Sequence, residues 1–553
     1  MAQPRRAWPR GSGIVSGYAL LGAWITWPLV TRAGTSIAGD FGDPVFVAWV
    51  MAWVSDHLTA MLGGDLGAWA AMWNAPIFAP ESSTLAYSDN FIAQGVQALP
   101  VWWATHNPLL AYNTLYLLTM TLTGVAAHGL AVRLSGRHVA GAVAGVLCML
   151  NDYRTFWALS HLQILSIHWW LFGLWGLDVF IGTGSRRALA GAAAALVMLH
   201  LSSSYLMAYC APFTAAFAVW SLARHGRLRD ASAWAGVAGA GLLSVAAVLP
   251  VVWRYLATRQ ALGFERSLEE TSANSATFAA YGAAMPWIAP LVLLALAGAL
   301  APAAAAGGLT RRARWGLVAF AIVAGVLAMG PAIRLDGDVY TGPYLWLRDA
   351  IPGFDGLRVP HRFVAIAATL LSLLGGIGAA WLARWRLALV PVAVAVALVT
   401  RTGWHAPFPI DRALTPDTLA ATPAYLRPHA SLPRIYQFVA TTPRDAVIAE
   451  LPFGERGYEI RYTFFTAGHR RRVLNGYSGV LPPSYEARRA VLAAPLGNRE
   501  AAWAALAPAT HVIVHEQAWR DDTGTRVRAW LDGRGARVVA SADGAWLYAL
   551  PTR

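Results

Sequence analysis

The sequence predicts a polytopic α-helical membrane protein carrying a C-terminal extracytoplasmic α/β domain. Three observations predict it. Of 553 residues, 57% are hydrophobic and only 13% charged, against about 25% charged in a soluble chain. Mean hydropathy is +0.45. Arginines recur between the apolar runs in regular alternation. This composition excludes a water-soluble enzyme. With 11% aromatic residues it also excludes intrinsic disorder.

The sequence contains no lysine, so all 43 cationic side chains are arginine. A G-x-x-x-x-G-K-[ST] phosphate loop and a lysine Schiff base are therefore excluded. A net charge of +14 would suggest nucleic acid in a soluble protein. Here the arginine distribution argues for membrane topology instead, and no nucleic-acid partner is expected. Cys148 and Cys210 both fall in apolar runs and supply neither a disulfide framework nor a cysteine zinc site.

Runs of about 20 apolar residues suffice to cross about 30 Å of hydrocarbon. Eleven such stretches stand out: 14–30, 108–132, 139–157, 161–182, 188–202, 204–223, 231–253, 286–306, 315–332, 362–383 and 387–403. Ser202, Ser203 and Ser204 alone separate the fifth from the sixth, as a tight hairpin or one kinked segment. With the N-terminus cytoplasmic, every second connection should be Arg-rich. Arg5, Arg6 and Arg10, Arg133 and Arg137, Arg186 and Arg187, Arg224, Arg227 and Arg229, Arg311, Arg312 and Arg314, and Arg384 and Arg386 meet that expectation. The first span is read as a retained anchor rather than a cleaved signal peptide, and the membrane as a bacterial inner membrane.

The outer connections differ in kind. Residues 31–107 form a long first loop holding Asp40, Asp43, Asp56, Asp65, Glu81 and Asp89 against Arg32 alone. Residues 254–285 and 333–361 are shorter loops of mixed charge. A transmembrane module over 1–403 is followed by an outer domain over 404–553. There, 446–451, 510–516, 537–542 and 545–550 read as strands, and 484–494, 498–507 and 524–533 as helices. Loops longer than about 15 residues tend to be functional, so chemistry is expected on the outer face.

In the first loop, Asp43 before Pro44 reads as an N-cap followed by an N1 proline. The helix this starts, 44–58, is expected in or near the outer headgroup layer, because Trp49 and Trp53 stand i, i+4 and tryptophan favours that layer. Asp43 or Asp40 can also serve as a general base at the membrane surface. The two roles are compatible, since a capping carboxylate has a second oxygen. Asp89 is a further candidate carboxylate, or a solvated turn residue.

The stretches GDPVFVAWVMAW (42–53), IFAPESSTLAYSD (77–89), NPLLAYN (107–113), SHLQILSIHWW (160–170), LRVPHRF (357–363) and NGYSGVLPPSY (475–485) carry a resemblance. Together with the architecture they resemble the GT-C superfamily of polytopic glycosyltransferases that use polyprenyl-phosphate-linked sugars, and within it a bacterial group of uncharacterised GT-C-like membrane proteins. The resemblance implies a base from the first outer loop, a role that falls on Asp43 with Asp40 as competitor. The chain departs from the family in spacing these acids three apart, where many members place two adjacent ones, and in lacking any lysine to hold a lipid phosphate.

Other candidates follow from chemistry. His161 sits at the outer end of the fourth span, and His168, seven residues on, shares nearly the same face of a continuous helix. An ionisable group in a span is a functional candidate, with an interhelical hydrogen bond as the structural alternative. That alternative is preferred for His128 and His200. Arg358, His361 and Arg362, at the mouth of the tenth span, suit a lipid phosphate because arginine binds phosphate bidentately. Headgroup snorkelling competes with that role, and Arg254, Arg259 and Arg266 are weaker candidates. In the outer domain, the basic run 468–472 reads mainly as a solvated face. Asn475 and Tyr477 are offered by a turn to a polar ligand such as a sugar, and Glu450 ends a strand.

These readings lead to inverting glycosyl transfer on the outer face, from a polyprenyl-phosphate-linked sugar to an envelope glycan, lipid or protein acceptor. Asp43 or Asp40 is the base, and Arg358, Arg362 and His361 hold the donor phosphate. Asp89, His161, Trp49, His469, Asn475 and Tyr477 contact substrate. No cofactor or metal is required, although an acidic loop leaves room for a divalent ion. A transporter or lipid flippase is the alternative, disfavoured by long outer loops and the lack of repeats. A non-enzymatic envelope assembly protein is the other.

Overall fold

The computed structural model describes residues 11–551 except 152, 155–157, 264, 352 and 424–430, with the backbone alone at 287 and 402. The chain is mostly helical and ends in a mixed sheet. Among the described residues, six helices are long and apolar enough to cross a membrane: Asp43–Leu62, Pro108–Ser135, Leu162–Thr183, Ser204–Arg224, Ala231–Leu262 and Pro360–Leu382. A seventh is formed if the bent segment Leu268–Leu300 counts as one span. The chain is a membrane protein. A helix lies in each of the eleven apolar stretches, but several are short, such as Gly11–Ile25 and His138–Met149.

The residues form two compact units. One comprises Met1–Thr26, Leu117–Val251 and Phe264–Ala406; the other comprises Trp27–Tyr116, Val252–Gly263 and Pro407–Arg553. The long first loop thus folds into the same unit as the C-terminal residues.

In the helical unit, Phe363–Leu382 is the central helix and packs on Phe278–Leu300, His138–Met149 and Arg311–Leu327. Its Gly375-Gly376-Ile377-Gly378 stretch permits this. A Cβ on Gly378 would stand 2.0 Å from the Leu294 carbonyl oxygen, and one on Gly376 would stand 2.3 Å from that of Ala140. Small residues let helix backbones approach closely where burial of apolar surface gives no driving force. The serine-separated pair is two helices, Arg186–Ser202 and Ser204–Arg224, with the Ser203 hydroxyl accepting from the Leu206 N–H.

At another position this unit buries an ionic cluster. Asp178, fully buried, accepts from Arg133 Nε (2.8 Å), Arg224 Nη2 (3.3 Å) and Ser221 Oγ (2.7 Å), with His225 Nε2 at 3.2 Å. Two arginines assigned to cytoplasmic connections therefore converge on one carboxylate. His128 bridges Tyr18 (3.0 Å) and His138 (3.2 Å), an interhelical hydrogen-bonding role.

In the other unit, five strands order as Arg472–Val473, Val447–Leu451, His511–His515, Ala545–Ala549, Arg537–Ala542. The first three are parallel and the last two antiparallel. Glu450 stands opposite Ile513, and Val514 opposite Trp546. Each strand and helix expected in the C-terminal residues is present, and the helices Arg434–Thr441 and Arg456–His469 and the short strand Arg472–Val473 stand beside them without having been expected.

The first loop is built onto this sheet and its approaches. The Phe78 N–H donates to the Asn475 carbonyl (2.9 Å), the Ala79 N–H to Val473 (2.8 Å), and the Val473 N–H to Pro76 (2.9 Å). The loop thereby extends the free edge of the Arg472–Val473 strand, which satisfies backbone groups an edge would leave open. Phe78 and Trp73 are fully buried, and Phe78 packs its ring on Tyr87 and Tyr485. Residues 37–41 pair with 409–412 through backbone bonds such as Gly39 N–H to Pro409 and Phe41 N–H to Arg412, both 2.9 Å.

Candidate active site

The helix Asp43–Leu62 begins one residue earlier and runs longer than expected. Gly42 is its N-cap, so Asp43 is the first helical residue and Pro44 the second; the capping role assigned to Asp43 is wrong. A cap needs a side chain folding back onto the N2 or N3 amide. Here the Asp40 carboxylate does the local turn bonding instead, accepting from the Gly42 N–H at 2.8 Å.

Asp43 is thereby turned toward the helix Arg456–His469. The two helices lie side by side and run parallel. Near their N-termini Arg456 Nη2 meets Asp43 Oδ1 at 3.1 Å, and further along Arg470 Nη2 meets Asp56 Oδ2 at 2.6 Å. Between these contacts Trp49 Nε1 donates to Thr466 Oγ1 at 2.9 Å. Trp49 is 1% exposed, which corrects the expectation that it faces headgroups. Its apolar surface is covered by protein, and its N–H needs a partner once buried. Asp56 also accepts from Trp102 Nε1 at 3.0 Å.

The Asp43 carboxylate has a second partner. The Tyr477 hydroxyl donates to the same oxygen, Oδ1, at 2.6 Å. The Tyr477 ring packs edge-on against Phe46 at 5.3 Å between centroids, and Arg456 lies 5.5 Å over its face. Burial works against the Arg456 charge, but Tyr477, Asp43 and Asp40 around it hold its pKa above the ordinary value. A carboxylate in the first turn of a helix is favoured by the macrodipole by about 0.3–1 kcal/mol. Two charge-assisted donors favour its ionised form further. Gly42 is wedged here: a Cβ would stand 2.7 Å from Asp40 Oδ1 and 3.3 Å from Arg456 Nη2. The arrangement is an anchored carboxylate with a phenol and a guanidinium on one oxygen. Chemically it can accept a proton and orient a hydroxyl.

Of the residues chosen from sequence, the structure brings Asp43, Asp40 and Tyr477 together. Asn475 is fully buried and bonds Glu450 and Glu459, so it braces the turn instead of presenting an amide to a ligand. His469 is 1% exposed, stacks on Tyr436 and accepts from the Arg471 N–H at 3.1 Å. Burial, then the Arg471 charge, pushes its pKa down to about 3, so it stays neutral. The solvated basic run is corrected in part: Arg470 and Arg472 are exposed, but its middle arginine is not. Arg471 is buried and donates to the carbonyls of Ala440, Thr442 and His469, satisfying chain turns that surround it. Glu450 is fully buried, bonded to Tyr436 (2.8 Å) and His515 (2.7 Å). Asp89 is also buried, not a solvated turn residue.

Arg254 and Arg259 lie in the unit of the first loop and the C-terminal residues, and the remaining candidates lie in the helical unit. Arg358 is 3.7 Å from Glu270, which also pairs with Arg266 at 2.9 Å. Arg362 lies 5.4 Å over the Tyr205 ring, and His361 packs edge-on against Tyr153. His161 and His168 do not share a continuous helix. Within the span Leu162–Thr183 a turn at Ser166 and Ile167 interrupts the helix, so that His161 precedes the short segment Leu162–Leu165 and His168 starts His168–Thr183. His168 is fully buried, and neither ring nitrogen has a hydrogen-bond partner among the described residues.

Sequence reasoning missed Arg456 and Glu459. Neither lies in a motif: Arg456 acts on Asp43, 413 positions away, and Glu459 on backbone and side-chain groups of two loops that only the fold brings to it. Among the described residues, no group of three or more His, Cys, Asp or Glu could hold a metal ion.

No protein-family model matches the chain, and no curated protein matches it in sequence. Among solved structures, the arabinofuranosyltransferase AftD from Mycobacteria aligns over 100% of this chain with a TM-score of 0.62 at 14% identity. The fold is GT-C-like. This chain spans 40% of AftD's length. The oligosaccharyltransferase of Archaeoglobus fulgidus aligns over 90% of this chain and 67% of its own, with TM-score 0.49 at 11% identity. ArnT from Cupriavidus metallidurans aligns over 98% of this chain and 99% of its own, with TM-score 0.37 at 12% identity. At these identities the likeness is one of fold. In this GT-C-like chain the first-loop carboxylate Asp43 has its partners Arg456 and Tyr477 on the C-terminal residues.

Proposed function

We propose that this protein is a membrane glycosyltransferase that moves a sugar from a polyprenyl-phosphate-linked donor to a hydroxyl acceptor on the outer face of a bacterial inner membrane. The observation that carries the reading is the Asp43 carboxylate, anchored by Arg456 and Tyr477 on a GT-C-like fold. The acceptor oxygen attacks the anomeric carbon as its proton passes to Asp43. The bond from that carbon to the donor phosphate breaks, and the polyprenyl phosphate leaves. One displacement inverts the anomeric centre. A placed general base contributes about 10²–10⁴-fold.

Tyr477 and Arg456 keep the carboxylate oriented before the acceptor arrives. Asp40 shapes the turn that presents it. Arg358, Arg362 and His361, in the helical unit, are proposed separately as ligands of the lipid phosphate. Eleven spans with a cytoplasmic N-terminus remain part of the proposal, supported by the arginine alternation.

The test uses proteoliposomes supplied with labelled polyprenyl-phosphate sugars and an envelope-glycan acceptor mixture, comparing wild type with Asp43→Asn. Transfer by wild type and about 10²-fold or greater loss in the variant is expected. Equal transfer by both would remove Asp43 from the base role. No transfer by folded wild type with any donor would overturn the reading.

A further inference from the structure

Two partners of Asp43 follow loops that leave adjacent strands. Arg456 follows the loop after Val447–Leu451, and Tyr477 follows the strand Arg472–Val473. Nothing in the strands themselves sets where those loops end. A single buried side chain touches both. Glu459, 1% exposed on the helix Arg456–His469, accepts from the Gly454 N–H at 2.7 Å and from Asn475 Nδ2 at 3.0 Å, both on Oε1. Its Oε2 accepts from the Gly476 N–H at 2.7 Å. Gly454 is two residues before Arg456, and Gly476 is the residue before Tyr477.

We infer that Glu459 is the positioning residue of this active site: one carboxylate fixes the two loops that deliver Arg456 and Tyr477 to Asp43. The inference rests on the reading of Asp43 as the base.

The local residues suit that task. Gly454 has φ +86°, a backbone conformation that L side chains rarely adopt, and a Cβ there would stand 2.6 Å from Arg489 Cγ. A Cβ on Gly476 would stand 2.7 Å from the Phe78 ring. Both glycines therefore bring their N–H groups to the carboxylate without a side chain in the way. Asn475 completes the tie. Its Oδ1 accepts from the Glu450 N–H at 2.7 Å and its Nδ2 also donates to the Glu450 carbonyl at 3.0 Å, so the loop is registered against the strand. Three N–H donors converge on two oxygens, each of which can accept. A glutamine of the same shape would turn an NH₂ toward one of those donors. The damage thus falls on one or both loops, with Asp43 losing its partners in turn.

The test uses the full chain in proteoliposomes. Glu459→Gln is expected to lower kcat by about 10–100-fold, as a displacement near 1 Å would, with KM for donor and acceptor changed less than about twofold. Adding Tyr477→Phe to it should cost little more, because the two act as one unit. Should Glu459→Gln fail to fold, Glu459→Asp keeps the carboxyl but falls a methylene short, and the same kcat loss is expected. A second readout needs no turnover. With 3-fluorotyrosine at position 477, the ¹⁹F resonance should shift on Asp43→Asn in an otherwise wild-type chain and not in Glu459→Gln. Wild-type kcat per folded molecule in the glutamine variant, or an unchanged response to Asp43→Asn, would overturn the positioning role. Wild type inactive with every donor would instead overturn the base reading, while the ¹⁹F comparison still decides what Glu459 does.

Discussion

The Tyr477 hydroxyl donates to Asp43 Oδ1 at 2.6 Å, across 434 residues of sequence. One partner begins the first-loop helix; the other follows a strand of the C-terminal sheet. The bond makes the state of the carboxylate depend on residues at the far end of the chain.

Removing that donor should cost turnover. Tyr477→Phe leaves Asp43 Oδ1 without the phenol that orients it, and kcat is expected to fall by about 10-fold or more. Single-turnover rates of wild type and variant check this; an unchanged rate would separate the phenol from the base.

Gly42 offers a steric test. A methyl group there would stand 2.7 Å from Asp40 Oδ1 and 3.3 Å from Arg456 Nη2. Gly42→Ala should therefore cost about 10²-fold in turnover, with only about 0.5–3 kcal/mol of stability. Turnover measured beside a melting curve in detergent distinguishes this from general unfolding.

Glu459 should also leave a trace in stability. Burial pushes its carboxyl up from the ordinary 4.5 to about 8, against the pull of the Gly454, Gly476 and Asn475 donors. The folded state then holds a proton that the unfolded chain releases near pH 4.5. Its contribution is fully present below that pH and is lost as pH rises through about 8. Melting temperatures of wild type should decline over this window more than those of Glu459→Gln, in which nothing titrates at this position.

Asp178 predicts the opposite kind of variant, one that harms the fold and spares the chemistry. Asp178→Ala leaves Arg133 and Arg224 without their carboxylate. Breaking a buried pair in this way costs about 3–5 kcal/mol. Thermal melts should fall steeply while turnover per folded molecule stays near wild type.

Much was legible beforehand where the signal is local. The strands at 446–451, 510–516 and 545–550 carry runs of β-formers, and the structure has strands there. Asp43 was legible as a candidate base and Tyr477 as a polar offering. The errors share one cause. Trp49, His469 and Asn475 were judged by residue type, as interface or ligand-binding groups. Each is buried instead by a neighbour distant in sequence. His161 and His168 were placed by helical spacing, which fails where the helix breaks at Ser166 and Ile167.

By itself the sequence determined the membrane class, the apolar stretches, the arginine alternation and the α/β character of the C-terminal residues. Each depends on how individual side chains partition between hydrocarbon and water, or on short-range periodicity, and both are written along the chain. Tertiary structure alone decided that the first loop extends the edge of the C-terminal sheet, that Asp43 meets Arg456 and Tyr477, and that Glu459 ties their loops together. Those pairings join residues up to 434 positions apart. Their energy comes from hydrogen bonds and close packing that exist only once the helices and loops have met, so no local pattern announces them.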